Sequence, residues 1–394
     1  MNILVANLGS TSFKFRLFRF DETGAALVAS GAYERVKDYG RAIDDCMAEL
    51  NAAGHVQSAA DLHGVGFKTV LGRNLTGCVF ADERVIAALE GFREIAPAHN
   101  PPYATGIRQF QEKLPGVPLV ALFETAFYQW MPEASTRYAV PDAWHNAGVR
   151  RYGFHGASHK FIAERSAELL GREDVAQRVR SLYQAGPTPV SGPPLRVISC
   201  HLGGSSSITG ICDGLAIGTS MGLSPQSGLP QNNRVGDLDS AAVPFVLKTF
   251  GLPLAEIERQ MTRESGLLGL SGVSNDVRDL RAAAGEGNAR AALALDVFTL
   301  SARHWIGGFH FELGGCEAIV FTAGIGENDP VLRAAILGGL DSLGIVLDPA
   351  ANEALRGAEG EISAPSSRVK VFVIPANEEL VVARETLRQI AARS

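Results

Sequence analysis

Two stretches in opposite halves of the chain carry the same pattern of apolar and polar positions. In the first, the apolar run Ile3-Leu4-Val5-Ala6 passes through Asn7-Leu8 into the small polar turn Gly9-Ser10-Thr11-Ser12. It then continues as Phe13-Lys14-Phe15-Arg16-Leu17-Phe18. In the second, Val197-Ile198-Ser199-Cys200-His201-Leu202 leads through Gly203-Gly204-Ser205-Ser206 into Ser207-Ile208-Thr209-Gly210-Ile211-Cys212. Each predicts a strand, a tight turn and a second strand. A Gly/Ser turn offers free backbone N–H groups and hydroxyls, which suit phosphate oxygens, although an ordinary hairpin has the same composition. Recurrence about half the chain apart points to a duplicated fold that grips phosphates between its halves.

Elsewhere, helical periodicity marks residues 41–51, 82–90, 158–170, 288–313, 330–343 and 378–392, several with a glycine beyond the end. Short apolar strands fall at 118–123, 196–200, 318–322 and 369–374. This mixture is α/β. The stretch 184–194, rich in Pro, Gly and Ser, reads as a surface loop just before the second hairpin.

At 394 residues the chain is long enough for two or three domains. A formal charge of −6 and the lack of a long basic run argue against a nucleic-acid surface. Five cysteines without a C-x-x-C pair argue against zinc and disulfides and suit a reducing cytoplasm. No apolar run approaches the ~18 residues a membrane span needs. With a strand at the very start and no room for a signal peptide, a cytoplasmic protein is expected.

Four further segments carry candidate chemistry. In 317–330 a buried strand runs into Gly324-Ile325-Gly326, where backbone can approach a ligand and a following helix N-terminus favours an anion; a strand-to-helix turn needs glycine in any case. His155 and His159 stand four apart where a helix begins, without the ligands a metal would need. They read either as a packed, hydrogen-bonded pair or as contacts to a transferring phosphoryl group. Arg234, on a glycine-flanked loop beside Asp237 and Asp239, can clamp phosphoryl oxygens or form a surface ion pair. Asn377-Glu378-Glu379 opens the last helix, its carboxylates suited to Mg²⁺ or to the helix dipole.

Read in order, these segments resemble the acetate kinase family of the sugar kinase and actin group, over nearly the whole chain. The matching motifs are residues 7–14, 150–159, 219–222, 265–269, 321–328 and 375–380. The resemblance implies two duplicated actin-like (ribonuclease H-like) α/β domains around a nucleotide cleft. The expected division is 1–130 with 379–394, and 131–378. It implies ATP/ADP with Mg²⁺ (or Mn²⁺), a small carboxylic acid as acceptor, no nucleic acid or membrane partner, and a homodimer.

By matched position, Asn7 and Glu378 would serve the metal. Ser10, Ser12, Lys14, His201, Gly203 and Gly204 would face the phosphates, and Asp276, Val277, Arg278, Gly324, Ile325, Gly326 and Asn328 the rest of the nucleotide. Glu124, His155, Arg234 and His99 would carry catalysis. Lys68, Val70, Ala98, Phe154 and Pro225 would hold the acid.

The departures cluster on the acceptor side. Where the family uses arginine and aspartate, this chain has Lys68 and Glu124. Lysine keeps the charge but cannot make a planar two-point contact, and glutamate reaches one methylene further. If the two changes compensate, Lys68 and Glu124 keep a charged contact across the site. The usual Leu-His-Asn-Pro is Ala98-His99-Asn100-Pro101, which removes bulk. The usual Gly-Asn-Gly is Gly203-Gly204-Ser205, which deletes a side-chain amide from the turn, and a family Glu-Gly is Ser227-Gly228. The pattern reads as a working kinase with a rebuilt acceptor pocket. Two alternatives are a kinase for a sugar hydroxyl or pyrophosphate, and a nucleotide-binding regulator without transfer activity.

Overall fold

The computed structural model describes residues 1–22, 24–93 and 100–393; Ala98 and His99, named above, lie outside the described residues. Among the described residues the strands form two six-stranded sheets. The first comprises β1 (Asn2–Gly9), β2 (Ser12–Asp21), β3 (Gly24–Glu34), β4 (Leu62–Thr69), β5 (Cys78–Phe80) and β6 (Leu119–Phe123), in the order β3-β2-β1-β4-β6-β5. The second comprises β7 (Arg196–His201), β8 (Ser207–Cys212), β9 (Leu215–Thr219), β10 (Ala318–Thr322), β11 (Gly360–Glu361) and β12 (Lys370–Val373), in the order β11-β12-β10-β7-β8-β9. Reversing one order gives the other. Each sheet has an antiparallel three-strand meander, two parallel strands beyond it and a short antiparallel edge strand. The two hairpins of the repeat, β1–β2 and β7–β8, occupy equivalent places.

The apolar patterns explain the layers. In β1 the continuous run Ile3 to Ala6 is fully buried, as expected of a strand covered on both faces. In the second sheet alternate residues feed two cores. Ile198, Ile319, Phe321 and Val371 join the core on one face, and Val197, Ala318, Val320 and Phe372 join that on the other. No helix among the described residues is long and apolar enough to cross a membrane.

Two helices set the cleft. The C-terminal helix Glu378–Ala391 returns to the first sheet and buries Val381, Val382 and Ala383 in its core. Glycines in β4 permit this close approach. A Cβ on Gly66 would lie 2.3 Å from Thr386 Oγ1, and one on Gly64 2.5 Å from Ile390 Cδ1. The helix Gly156–Leu169 starts after His155, which holds a left-handed φ of 59°. Gly156 N–H donates to Glu124 O at 3.0 Å, and only a residue without Cβ fits there, 2.2 Å from that oxygen.

Three sequence expectations need correction. The helix expected over 330–343 ends at Leu337, because Gly338-Gly339 follows and Gly339 takes a φ of 74°; residues 341–343 form a separate 3-10 turn. Residues 184 and 185 of the expected loop extend the helix Glu173–Ala185 up to Gly186. Ala323, at φ 65°, rather than Gly324 or Gly326, makes the turn after β10, and both glycines lie within the helix Ala323–Asn328.

Candidate active site

Three elements converge at the base of the cleft: Lys68 from the end of β4, Glu124 just after β6 and Glu378 at the start of the C-terminal helix. Lys68 Nζ lies 3.2 Å from Glu124 Oε1 and donates a hydrogen bond to Glu378 Oε2. The contact expected between Lys68 and Glu124 is therefore present, and Glu378 is a second partner that the sequence did not suggest.

Burial works against charge at all three groups. For Lys68, Glu378 and Glu124 outweigh burial and hold the ammonium well above the ordinary lysine range. For Glu378, burial is outweighed by Lys68 and His201, so it stays below the usual carboxylate range. For Glu124, burial dominates the pull of Lys68 and, with the neighbouring Glu378, raises the carboxyl. Glu124 Oε2 and Asn7 Oδ1 are buried without a hydrogen-bond partner among the described residues. Asn7 Nδ2 donates to Glu379 Oε1 at 3.3 Å.

Above this base lie two stacked imidazoles, His155 and His201, with centroids 4.0 Å apart and planes at 20°. His155 Nδ1 shares a 2.8 Å hydrogen bond with Ser207 Oγ, and His201 Nδ1 shares one of 2.8 Å with Ser158 Oγ. His159 behaves differently from its neighbour. It is fully buried, with Nδ1 on Ser199 Oγ and Nε2 on Ser207 Oγ, both at 2.8 Å, so it is a packing residue that braces His155 through a shared serine. Burial, then mutual repulsion, pushes His155 well below the ordinary histidine value. Burial alone leads for His201, pushed down to about 4. Both rings are neutral donors or acceptors at pH 7.

Arg234 forms no ion pair among the described residues. Its Nη1 donates to Gln231 Oε1 at 3.2 Å and to Ser205 Oγ and Pro225 O at 3.4 Å, all neutral oxygens. The expected neighbour Asp237 instead accepts the Gly228 N–H at 2.9 Å. A half-buried guanidinium held only by long bonds to neutral groups is arranged to meet an anion that is not part of the protein.

Three adjoining cavities run along the cleft. The first, about 400 Å³, is lined by Asn7, Ser12, Lys14, Lys68, Val70, Glu124, Phe154, His155, Pro225 and Arg234, together with Tyr103 and Ser205. The middle cavity, about 410 Å³, shares Lys68, His155 and Ser205 with it and adds His201, Gly203, Gly204, Gly324 and Glu378. The third, about 830 Å³, shares Gly203, Gly204 and Gly324 with the second and adds Asp276, Val277, Arg278, Ile325 and Asn328.

Of the residues singled out from the sequence, Ser10 is exposed at the hairpin tip and lines none of the three. Gly326 lines none either; its N–H ties the turn to Leu202 O at 3.0 Å. Lys14 is largely exposed, 3.8 Å from Glu34. Sequence reasoning missed Tyr103, Asn232 and Arg281, and the serines 158, 199 and 207 that fix the histidine rings. Only the serine run Ser205-Ser206-Ser207, from the turn into β8, hinted at the last.

A duplicated α/β fold whose Gly/Ser turns meet one cleft, with an uncommitted arginine beside neutral imidazoles, is that of a phosphotransferase with the actin-like architecture. A model of the Acetokinase family matches residues 28–384. An acetate kinase from Geobacillus kaustophilus is 41% identical over 408 residues, covering 98% of each chain, and one from Methanosarcina thermophila is 40% identical over 413, covering 98% of this chain and 96% of its own. The crystal structure of Porphyromonas gingivalis acetate kinase superimposes with a TM-score of 0.88 at 32% identity, covering 99% of each chain. A propionate kinase from Francisella tularensis gives 0.84 at 30%, covering 98% of this chain and 99% of its own. The chain belongs to the acetokinase family, the kinases whose phosphoryl acceptor is a carboxylate.

Proposed function

We propose that this chain transfers the γ-phosphoryl group of ATP to the carboxylate of a short-chain acid, reversibly and in one in-line step, giving an acyl phosphate and ADP. The observation that carries this is the sequence of three adjoining cavities. A large one fits the nucleoside and a polar one the phosphates. The cavity of about 400 Å³ has apolar walls at Val70, Phe154 and Pro225 and uncommitted positive charge at Arg234. The fork of Arg234 draws the acid carboxylate and the transferring phosphoryl together and offsets charge gathering on the equatorial oxygens. His155 and His201 hydrogen-bond those oxygens while neutral. Lys68 holds Glu124 and Glu378 apart and in place.

The donors present fit Mg²⁺ (or Mn²⁺): Asn7 Oδ1 and Glu124 Oε2 are unpartnered, Glu378 is ionised, and hard oxygen donors suit either ion. When bound, that ion neutralises phosphate charge. We also place the domain division at 1–130 with 379–394, and 131–378, because the C-terminal helix shares the core of the first sheet. We place the protein in the cytoplasm, in line with its five free cysteines. A homodimer accounts for the helix Ala242–Phe250, which buries none of its residues and exposes Phe245 and Phe250 by 64% and 67%; light scattering at micromolar protein tests it.

The decisive experiment incubates protein, ATP and Mg²⁺ with a series of acids and traps acyl phosphate with hydroxylamine. With Ala98 in place of a bulkier side chain, propionate, butyrate or a larger acid should rival or exceed acetate in kcat/KM, one methylene being worth about 1–3 kcal/mol in a matching pocket. A clear preference for acetate overturns the enlarged pocket. Transfer to a sugar or pyrophosphate but to no acid overturns the acceptor class.

A further inference from the structure

The turn Gly203-Gly204-Ser205 and residues 231–234 lie against each other beside the cleft. Asn232 N–H donates to Gly204 O at 3.2 Å, Ser205 Oγ donates to Gln231 Oε1 at 2.8 Å, and Arg234 Nη1 reaches Ser205 Oγ. This short segment thus serves both ends of the phosphate path. Arg234 lines the acceptor cavity, and Asn232 lines the nucleotide cavity.

Among the described residues the Asn232 carboxamide makes no hydrogen bond, so its two N–H donors are uncommitted. Its location is specific. A Cβ built on Gly204 would lie 3.1 Å from Asn232 Nδ2 and 3.5 Å from Asn232 Cγ. The carboxamide therefore fills the volume that a side chain at position 204 would enter, and the two cannot both be occupied without movement. Gly204 in turn lines both the nucleotide cavity and the phosphate cavity, so this volume stands where the two join.

We infer that Asn232 is a nucleotide-binding residue: its Nδ2 donates to a phosphate oxygen of the bound nucleotide, supplying from across the turn the amide that residue 204 lacks. The chemistry fits, because an amide donor beside a glycine turn adds a directed hydrogen bond to an anion without adding charge. The glycine at 204 then leaves the carboxamide of Asn232 in place, since a side chain there would press against it. This inference rests on the ATP reading of the cleft but not on the identity of the acid.

Calorimetric binding of ADP, ATP and adenosine to the full chain tests it without any acceptor. Asn232→Ala should weaken ADP and ATP by roughly tenfold to a hundredfold, the worth of a hydrogen bond to a charged group, and leave adenosine unchanged. Asn232→Asp should weaken both nucleotides further, through repulsion. Gly204→Asn should weaken binding in the native background, where it collides with Asn232, and restore it in the Asn232→Ala background, where the space is free. Thermal unfolding of each variant shows that the fold persists, and Asn232→Gln, which keeps the amide, should stay within a few-fold of native. Native ADP affinity in Asn232→Ala, an equal loss for adenosine, or no rescue by Gly204→Asn overturns the inference. If the native chain binds ADP yet phosphorylates no acid, the acceptor assignment fails and this comparison is still read as above. Failure of the native chain to bind ADP overturns both readings.

Discussion

Replacing Arg234 by alanine separates catalysis from stability, because the structure gives the side chain little to hold in the resting protein. Its three contacts are to neutral oxygens at 3.2–3.4 Å, longer than the usual 2.9–3.0 Å, and burial disfavours its charge enough to lower its pKa. Losing such bonds while relieving that desolvation should change folding stability by no more than about 1 kcal/mol. The transition state differs, since charge then develops beside a guanidinium with no competing carboxylate. Removing one such donor is worth about 2.7–4 kcal/mol, or roughly 10²–10³-fold in kcat.

Arg234 lines the acceptor cavity and not the nucleotide cavity, so ADP affinity should stay within a few-fold of native. Arg234→Lys should recover only part of the loss, because a point charge cannot bridge two oxygens. The assay is hydroxamate formation with the best acid, giving kcat and both KM values, alongside urea unfolding. Turnover by Arg234→Ala near the native rate, or activity lost only in proportion to fold, would refute the assignment.

Three more outcomes follow from the geometry. In the cycle Lys68→Arg, Glu124→Asp and both together, each single change should lower kcat/KM, since Glu124→Asp withdraws the carboxylate from its 3.2 Å contact; the double variant should beat the additive expectation by about 0.5–3 kcal/mol, and additivity would make the two residues independent. His201, pushed from 6.5 to about 4, must gain a proton on unfolding but not while folded. Its stabilising effect should therefore be complete above about pH 6.5 and fall by about 3 kcal/mol toward pH 4, and a His201→Gln variant whose urea midpoint keeps the native pH slope there would contradict this. At the junction of the helices Gly156–Leu169 and Glu378–Ala391, the fully buried pair Lys160–Glu385 at 3.0 Å leaves an unpaired buried charge if broken. Glu385→Ala should thus cost about 3–5 kcal/mol by denaturant titration, with the joint Lys160→Met/Glu385→Leu change markedly milder.

Local pattern determined the two hairpins and the α/β class, and the resemblance to the acetokinase family pointed to many of the residues that line the cleft cavities. Strand periodicity and a Gly/Ser turn are properties of a few adjacent residues, and the apolar run at 3–6 suits a strand buried on both faces. Helix ends were less legible, because where Gly338-Gly339 stops a helix depends on which residues pack beyond it. Only the tertiary structure decided the partnerships. Lys68 and Glu378, far apart in sequence, meet because Gly64 and Gly66 let the last helix lie close on β4. His155 and His159, alike in sequence, diverge because one sits on a left-handed turn at the cleft while the other points into a core lined by Ser199 and Ser207. Arg234 was readable as a candidate clamp, but its lack of an acidic partner was not, since Asp237 is turned away by a backbone N–H. These partnerships join residues far apart in the chain, so long-range packing sets them and no local spacing encodes them.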